Sequence, residues 1–214
     1  VSARKGSANF SVVVHGRLAH AGRDFTSGRN AISALMDALL KIEALTDLDR
    51  GLTINIGAIN GGGPVNVVPD LAIGRLNMRM EAMEDASATI DQIQEIVTET
   101  GRRDGIRAEL IGALTRPPKP FDAATQKLFE SIQSCGKDLG LDLTWRPTGG
   151  VCDGNILASA GLPTIDTLGV RGANIHTHDE FMLIDSLVER AQLTALFLMR
   201  LANGDCTLTQ EILP

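Results

Sequence analysis

After Gly74 the decapeptide LAIGRLNMRM (residues 71–80) alternates strictly. Leu76, Met78 and Met80 fall on one side of an extended chain, and Arg75, Asn77 and Arg79 on the other. Successive side chains of a strand point to opposite faces, so this segment belongs in a sheet that buries one face and leaves the other open. The neighbouring sequence offers two covers for the apolar face. In GRNAISALMDALLKIEALT the residues Ile32, Leu35, Met36, Leu39 and Leu40 recur at helical spacing. ASATIDQIQEIVTETG does the same with Ile90, Ile93, Ile96 and Val97; Asp85 is its expected N-cap and Gly101 its expected stop.

Three more segments read as strands: NFSVVVHGR (9–17), LTINIGAI (52–59) and IRAELIGAL (106–114). The order is then β-α-β-β-α-β, the ferredoxin-like split βαβ arrangement, over roughly the first 115 residues. RPPKP (116–120) interrupts the pattern and sets an expected boundary, giving regions 1–117 and 118–214. Beyond it the sequence predicts a helix capped by Asp122, a strand DLTWRPT and a Gly-Gly turn. A short helix from Asp153 to about Ala160 and a strand TIDTLGV follow. The last helix opens with a Ser186/Glu189 capping box and stops near Gly204. The fold class is mixed α/β (α+β). Two strands are too few for a parallel layer, which needs several neighbours and both faces covered, so the second region reads as half of a domain.

Aromatic residues make up 3% of the chain and Tyr is absent, so the core must be aliphatic. A net charge of -6 with scattered basic residues argues against a nucleic-acid surface, which needs clustered Lys and Arg. LTALFLMRLA, interrupted by Arg200, is too short for a membrane span. VSARKGSANF is polar where a signal peptide would be apolar, and a first residue other than Met fits a processed product or a piece of something longer. Cys135, Cys152 and Cys206 lie far apart with no metal-binding or disulfide spacing, and read as incidental thiols.

Chemistry concentrates in four places. GANIHTHDEF (172–181) holds His176 and His178 with Asp179 and Glu180 behind them, which suits a metal or a plain surface loop. RLAHAGRD sets His20 among small residues, as an oxyanion donor or a solvated loop histidine; His15, inside a strand, reads as structural. RPTGGVCDGN, with Gly149 and Gly150, is a glycine turn entering a helix, able to present amides to an anion or to serve as a turn only. Asn66, Arg79 and Arg116 offer donors for a carboxylate, although each alone is an ordinary surface residue.

RKGSANFSVVVHGRLAHAGRD, GGGPVNVVPD with its trailing Arg, RPTGGVCDGN and NIHTHDEF, in this order, resemble the aminoacylase/carboxypeptidase family of dinuclear zinc hydrolases, metallopeptidase family twenty. The glutamate carboxypeptidases look nearest. The resemblance implies a dimerisation (lid) domain over residues 1–117 and the C-terminal part of a zinc-dependent catalytic domain over 118–214, with the N-terminal part of that domain absent. It implies two zinc ions in the complete enzyme and one or none here, with His176 as the one ligand present. His178 stands where the family commonly carries another residue pair, which leaves it in doubt as a ligand. His20 would polarise the scissile carbonyl across a homodimer, assisted by Asn66. Arg79 and Arg116 would hold the substrate carboxylate, and Gly149 and Gly150 would line the pocket. The expected substrate is a small acyl-amino acid or peptide, and this piece alone is expected to be inactive. A deacetylase or desuccinylase of the same family, or a non-catalytic dimerisation module, are the other readings. A cytoplasmic location is expected, with the periplasm left open.

Overall fold

The computed structural model describes residues 1–205, and Cys206 lies outside them. The chain divides into two compact units, Lys5–Pro118 and a second made of Val1–Arg4 with the residues from Lys119 onward. The expected boundary fell one residue earlier, and the first four residues group with the second unit.

The first unit is a four-stranded antiparallel sheet with two helices on one face. Its strands are β1 (Gly6–His15), β3 (Thr53–Gly61), β5 (Leu71–Met80) and β6 (Arg107–Arg116), in the order β3-β5-β1-β6. The helices are α1 (Ala31–Glu43) and α2 (Met83–Gly101). This is the β-α-β-β-α-β topology. Two short strands, β2 (Ala19–His20) and β4 (Val67–Val68), form a separate antiparallel ribbon, with Ala19 opposite Val68 and His20 opposite Val67.

Alternation decides which face is covered. Ala8, Phe10, Val12 and Val14 of β1 are buried with Ala72, Leu76, Met78 and Met80 of β5, together with Ala34, Leu35, Leu39 and Ile42 of α1 and Ile93 and Val97 of α2. At Gly74 a Cβ would stand 2.8 Å from the Leu39 side chain, so glycine there sets how closely α1 approaches β5. The buried stripe of α1 differs from the expected one. Small residues Ala31, Ala34 and Ala38 face the sheet, while Met36 and Leu40 are exposed. The helix lies close enough to its sheet that the inward positions take alanine.

Helix starts also differ. Asn30 caps α1 by accepting from the Ser33 amide at 3.0 Å. α2 begins after Ala82, whose extended backbone makes it the N-cap, so Asp85 sits inside the first turn and pairs with Arg50.

The second unit contains α3 (Ala123–Asp138), α4 (Gly154–Ser159), the hairpin β7 (Gly172–Ala173) and β8 (Phe181–Met182), and α5 (Asp185–Ala202). Asp122 caps α3 as expected, accepting from the Thr125 amide at 2.7 Å. The Ser186/Glu189 capping box is not formed. Ser186 lies within α5, where its Oγ donates to the Leu183 carbonyl and accepts from the Arg171 amide, and Glu189 pairs with Arg171. Segments 142–148 and 164–170 form no strands among the described residues. Arg146 and Thr148 bond to residues 2–4 through Ser2 N–H to Arg146 O (3.1 Å) and Thr148 N–H to Ala3 O (3.0 Å), which is too little for a ladder. The core here is small: Ile132, Cys135, Leu193 and Phe197. Among the described residues no helix is long and apolar enough to cross a membrane.

Candidate functional site

The β2–β4 ribbon brings two candidate residues together. His20 pairs with Val67 on the opposite strand, and the Asn66 carbonyl accepts from the Ala21 amide at 2.9 Å. Both side chains are exposed. The Gly22 amide donates to His20 Nδ1 at 3.1 Å. A neutral imidazole with Nδ1 accepting carries its proton on Nε2, so His20 presents an N–H donor outward. That is the form suited to stabilising a developing oxyanion.

Arg79 and Arg116 form a second pair at the other end of the sheet. Both lie opposite Ser7 on the central strand β1, one on each side. With adjacent strands about 4.8 Å apart, their backbones stand roughly 10 Å from each other, a span that a carboxylate and two long side chains can fill. Arg79 Nε donates to Asn77 Oδ1 at 2.8 Å, and Arg79 Nη1 is buried with no hydrogen-bond partner among the described residues. Arg116 Nη1 donates to the Thr115 carbonyl at 2.9 Å.

The two pairs are far apart. β1 runs from the row of Ser7 to the row of His15, about 27 Å at 3.4 Å per residue, before the ribbon begins. His20 with Asn66 and Arg79 with Arg116 therefore occupy opposite ends of one unit.

In the second unit, the turn holding Gly149 and Gly150 is anchored by Arg4. Its guanidinium donates to the Gly150 carbonyl at 2.8 Å and to both oxygens of Asp166, at 2.9 Å from Nε and 2.7 Å from Nη2. Lys119, fully buried, adds a second cation 3.5 Å from Asp166. Burial pushes the Asp166 carboxyl up. The Arg4 hydrogen bonds and the charges of Lys119 and Arg4 outweigh it and hold the group below the usual carboxylate range. The amides entering α4 are already used: Cys152 N–H donates to Asn155 Oδ1, Gly154 N–H to Cys152 Sγ and Asn155 N–H to the Cys152 carbonyl. The expectation that this helix start presents free amides to an anion therefore fails for those three groups. A Cβ at Gly149 would meet nothing within 4 Å, so packing within the chain does not require glycine there.

His176 lies in the loop between β7 and β8, exposed, with φ +69°. A non-glycine residue in the left-handed region is uncommon and concentrates at functional positions. Its amide donates to Glu180 Oε2 at 3.1 Å, which closes the loop. Among the described residues no group of three or more His, Cys, Asp or Glu could hold a metal ion. His176 and its neighbours do not make a metal site by themselves.

Sequence reasoning missed Arg4, Lys119, Asp166 and Asn77. Lys119 sits in a stretch that reads as linker, and 162 residues separate Arg4 from Asp166. Only Asn77 carried a signal, its place two residues before Arg79 on the open face of a strand.

Residues 2–105 match the peptidase dimerisation domain model. Over those residues the chain is similar to a peptidase dimerisation domain. It is similar to the succinyl-diaminopimelate desuccinylase of Psychrobacter sp., 29% identical over 94% of this chain and 51% of that protein. It is also similar to carboxypeptidase G2 of Pseudomonas sp., 26% identical over 93% of this chain and 48% of that protein. Among solved structures it resembles aminopeptidase PepT from Bacillus cereus, with a TM-score of 0.80 and 26% identity over 94% of this chain and 53% of that one. The chain spans about half the length of the curated relatives it matches. The mixed α/β architecture and the resemblance to the carboxypeptidase and desuccinylase family stand on these matches.

Proposed function

We propose that the chain is part of a metal-dependent amidohydrolase of the exopeptidase type, glutamate carboxypeptidase-like, which works as a homodimer on the amide bond of an amino acid bearing a free carboxylate. The unit Lys5–Pro118 forms the dimerisation domain, and Val1–Arg4 with the residues from Lys119 onward belong to the catalytic domain. One observation carries this reading: His20 with Asn66 and Arg79 with Arg116 lie at opposite ends of a unit that matches a dimerisation domain. An oxyanion donor and a carboxylate clamp so far apart serve one small substrate only if they come from different copies.

The dimer face we assign is the outer edge of β3, an edge of its sheet, together with exposed Ile59 of β3 and exposed Met36 and Leu40 of α1. An unpaired strand edge beside an apolar helix face is suited to pairing with a second copy. In the active dimer His20 Nε2–H donates to the carbonyl oxygen as charge develops, and Asn66 stands beside it. Arg79 and Arg116 hold the carboxylate, while Gly149 and Gly150 form a wall of the pocket with Arg4 fixing the Gly150 carbonyl. His176 is the single metal ligand contributed by this chain. Zinc, which suits imidazole, would supply water activation once the remaining ligands are present. The desuccinylase relative favours one alternative, removal of an acyl group from an amino acid, and the same carboxylate residues serve it.

Complementation in the complete enzyme tests this. His20→Ala and Arg79→Ala homodimers should each lose activity, the first by ~10²-fold in kcat as for other lost oxyanion donors. Mixing them should restore roughly a quarter of wild-type activity, because half the dimers are mixed and each carries one intact site. No recovery on mixing would show that both groups act within one chain, and would overturn the shared-site reading.

A further inference from the structure

The open face of the sheet carries a row of three asparagines: Asn55 on β3, Asn77 on β5 and Asn9 on β1, paired in register. They line a shallow cavity of about 480 Å³ with Arg75 and Ile111. Asn77, in the middle, is tied to β1. Its Nδ2 donates to Asn9 Oδ1 at 2.8 Å, to Ser7 Oγ at 3.0 Å and to the Ala8 carbonyl at 3.1 Å.

The amide has one possible orientation. A backbone carbonyl only accepts, so the nitrogen must face Ala8. The oxygen is then turned toward Arg79, whose Nε donates to it at 2.8 Å. A guanidinium is planar, so fixing Nε against one acceptor fixes the direction of its remaining donors. One of those, Nη1, is buried without a partner among the described residues. A buried donor left unpaired costs free energy, so the guanidinium's hold on Asn77 Oδ1 carries much of what fixes its place.

We propose that Asn77 is the positioning residue of the Arg79 carboxylate site, holding the guanidinium through Nε in the orientation that receives the substrate carboxylate. This rests on the reading above that Arg79 receives that carboxylate. Asn77 does not touch substrate; it acts through Arg79. Loss of its oxygen frees the Arg79 side chain to sample other rotamers, and the carboxylate must then pay for ordering it. Asp at this position keeps an acceptor for Nε, but sets a negative charge beside the guanidinium and opposes the Ala8 carbonyl and Asn9 Oδ1.

The test uses the complete enzyme and a matched substrate pair, one with a free α-carboxylate on the amino acid and one with a carboxamide there. Wild type should prefer the carboxylate in kcat/KM. Asn77→Ala should lower that preference by about tenfold or more, the loss expected for one hydrogen bond to a charged group, chiefly through KM, with carboxamide turnover unchanged. Asn77→Asp should also lose preference. An Asn77→Ala enzyme with wild-type preference, or one that loses both substrates equally, overturns the proposal, the second result marking a structural role only. Arg79→Ala separates the two ideas: if it keeps the carboxylate preference, the carboxylate reading itself fails. Should Asn77→Ala not fold, the wild-type Arg79 Nε–Hε resonance decides. It should be a sharp, slowly exchanging signal that shifts on addition of glutarate, and a signal averaged by free rotation overturns the proposal.

Discussion

The two units of this chain reach order by different means. In the first, four strands pair along their length and both helices lie on one face, so Ala8, Phe10, Val12, Leu35, Met78 and Ile93 share one continuous aliphatic core. In the second, α3 and α5 bury few large apolar side chains, Phe129, Ile132, Leu193 and Phe197 with Cys135, while Leu187, Val188, Leu198 and Met199 stay exposed on α5. What the second unit lacks in apolar burial it replaces with charge, in the Arg4–Asp166 pair and the buried Lys119 beside it. A sheet with complete ladders specifies itself locally. A unit with few ladders depends on contacts between residues far apart in sequence.

The sharpest way to break this comparison is to separate the units. Residues 5–118 produced alone should melt in one cooperative transition with an unfolding enthalpy of about 70–80 kcal/mol, typical for a domain of this length. Residues 119–205 alone should show no cooperative heat absorption. Scanning calorimetry on both pieces decides it, and a cooperative transition in the second piece would show that its core is larger in effect than its buried side chains suggest.

This difference also governs how much the sequence could reveal. The alternation in β5 and the 3.6-residue spacing in α2 expose the sheet unit because each element's pattern is local. The ribbon of β2 and β4 is two residues per strand, too short for any period to register. In the second unit the strands expected over 142–148 and 164–170 have extended sequences but no described ladder partners, and a strand exists only through its neighbour. Asp85 and Ser186 looked like caps from residue type. The cap position depends on where the backbone leaves the extended region, which happens at Ala82 for α2 and leaves Ser186 bonded to Leu183. Among the site residues, His20, Asn66, Arg79, Arg116 and His176 were visible as chemistry. The division of the first four between opposite ends of the sheet unit was not, because that follows from strand direction and register.

Substituting Asp166 by Asn sharpens the contrast through electrostatics. Removing the carboxylate leaves buried Lys119 and half-buried Arg4 without their shared partner, which should cost about 3 kcal/mol, as for other broken buried pairs. The folded Asp166 pKa is lowered, so its contribution is fully present above the ordinary carboxylate value of about 3.9 and disappears as pH falls through the lowered one. Urea melts of the complete protein should therefore show a loss of stability below about pH 4 in wild type that the Asp166→Asn protein lacks. The transition of the sheet unit should be the same in both. Equal acid sensitivity in the two proteins would remove Asp166 from the account.

The smallest effect compares like with like. Asn30 and Asp122 cap α1 and α3 through the same bond, a side-chain oxygen accepting the amide three residues on, at 3.0 Å and 2.7 Å. Replacing either by Ala should cost about 1 kcal/mol locally. Each loss should appear in a different place. Asn30→Ala lowers the stability of the sheet unit, since α1 packs across β5 and β1 and cannot loosen without exposing Leu35 and Leu39. Asp122→Ala loosens a helix whose neighbours, α5 and the segment from Leu141 to Trp145, lie in its own unit, so its cost should appear as faster hydrogen exchange in α3 with the sheet amides unchanged. Exchange measured amide by amide in both variants checks this. If Asp122→Ala also accelerates exchange in β1 or β5, the two units unfold as one, and the division between a self-sufficient sheet and a dependent partner fails.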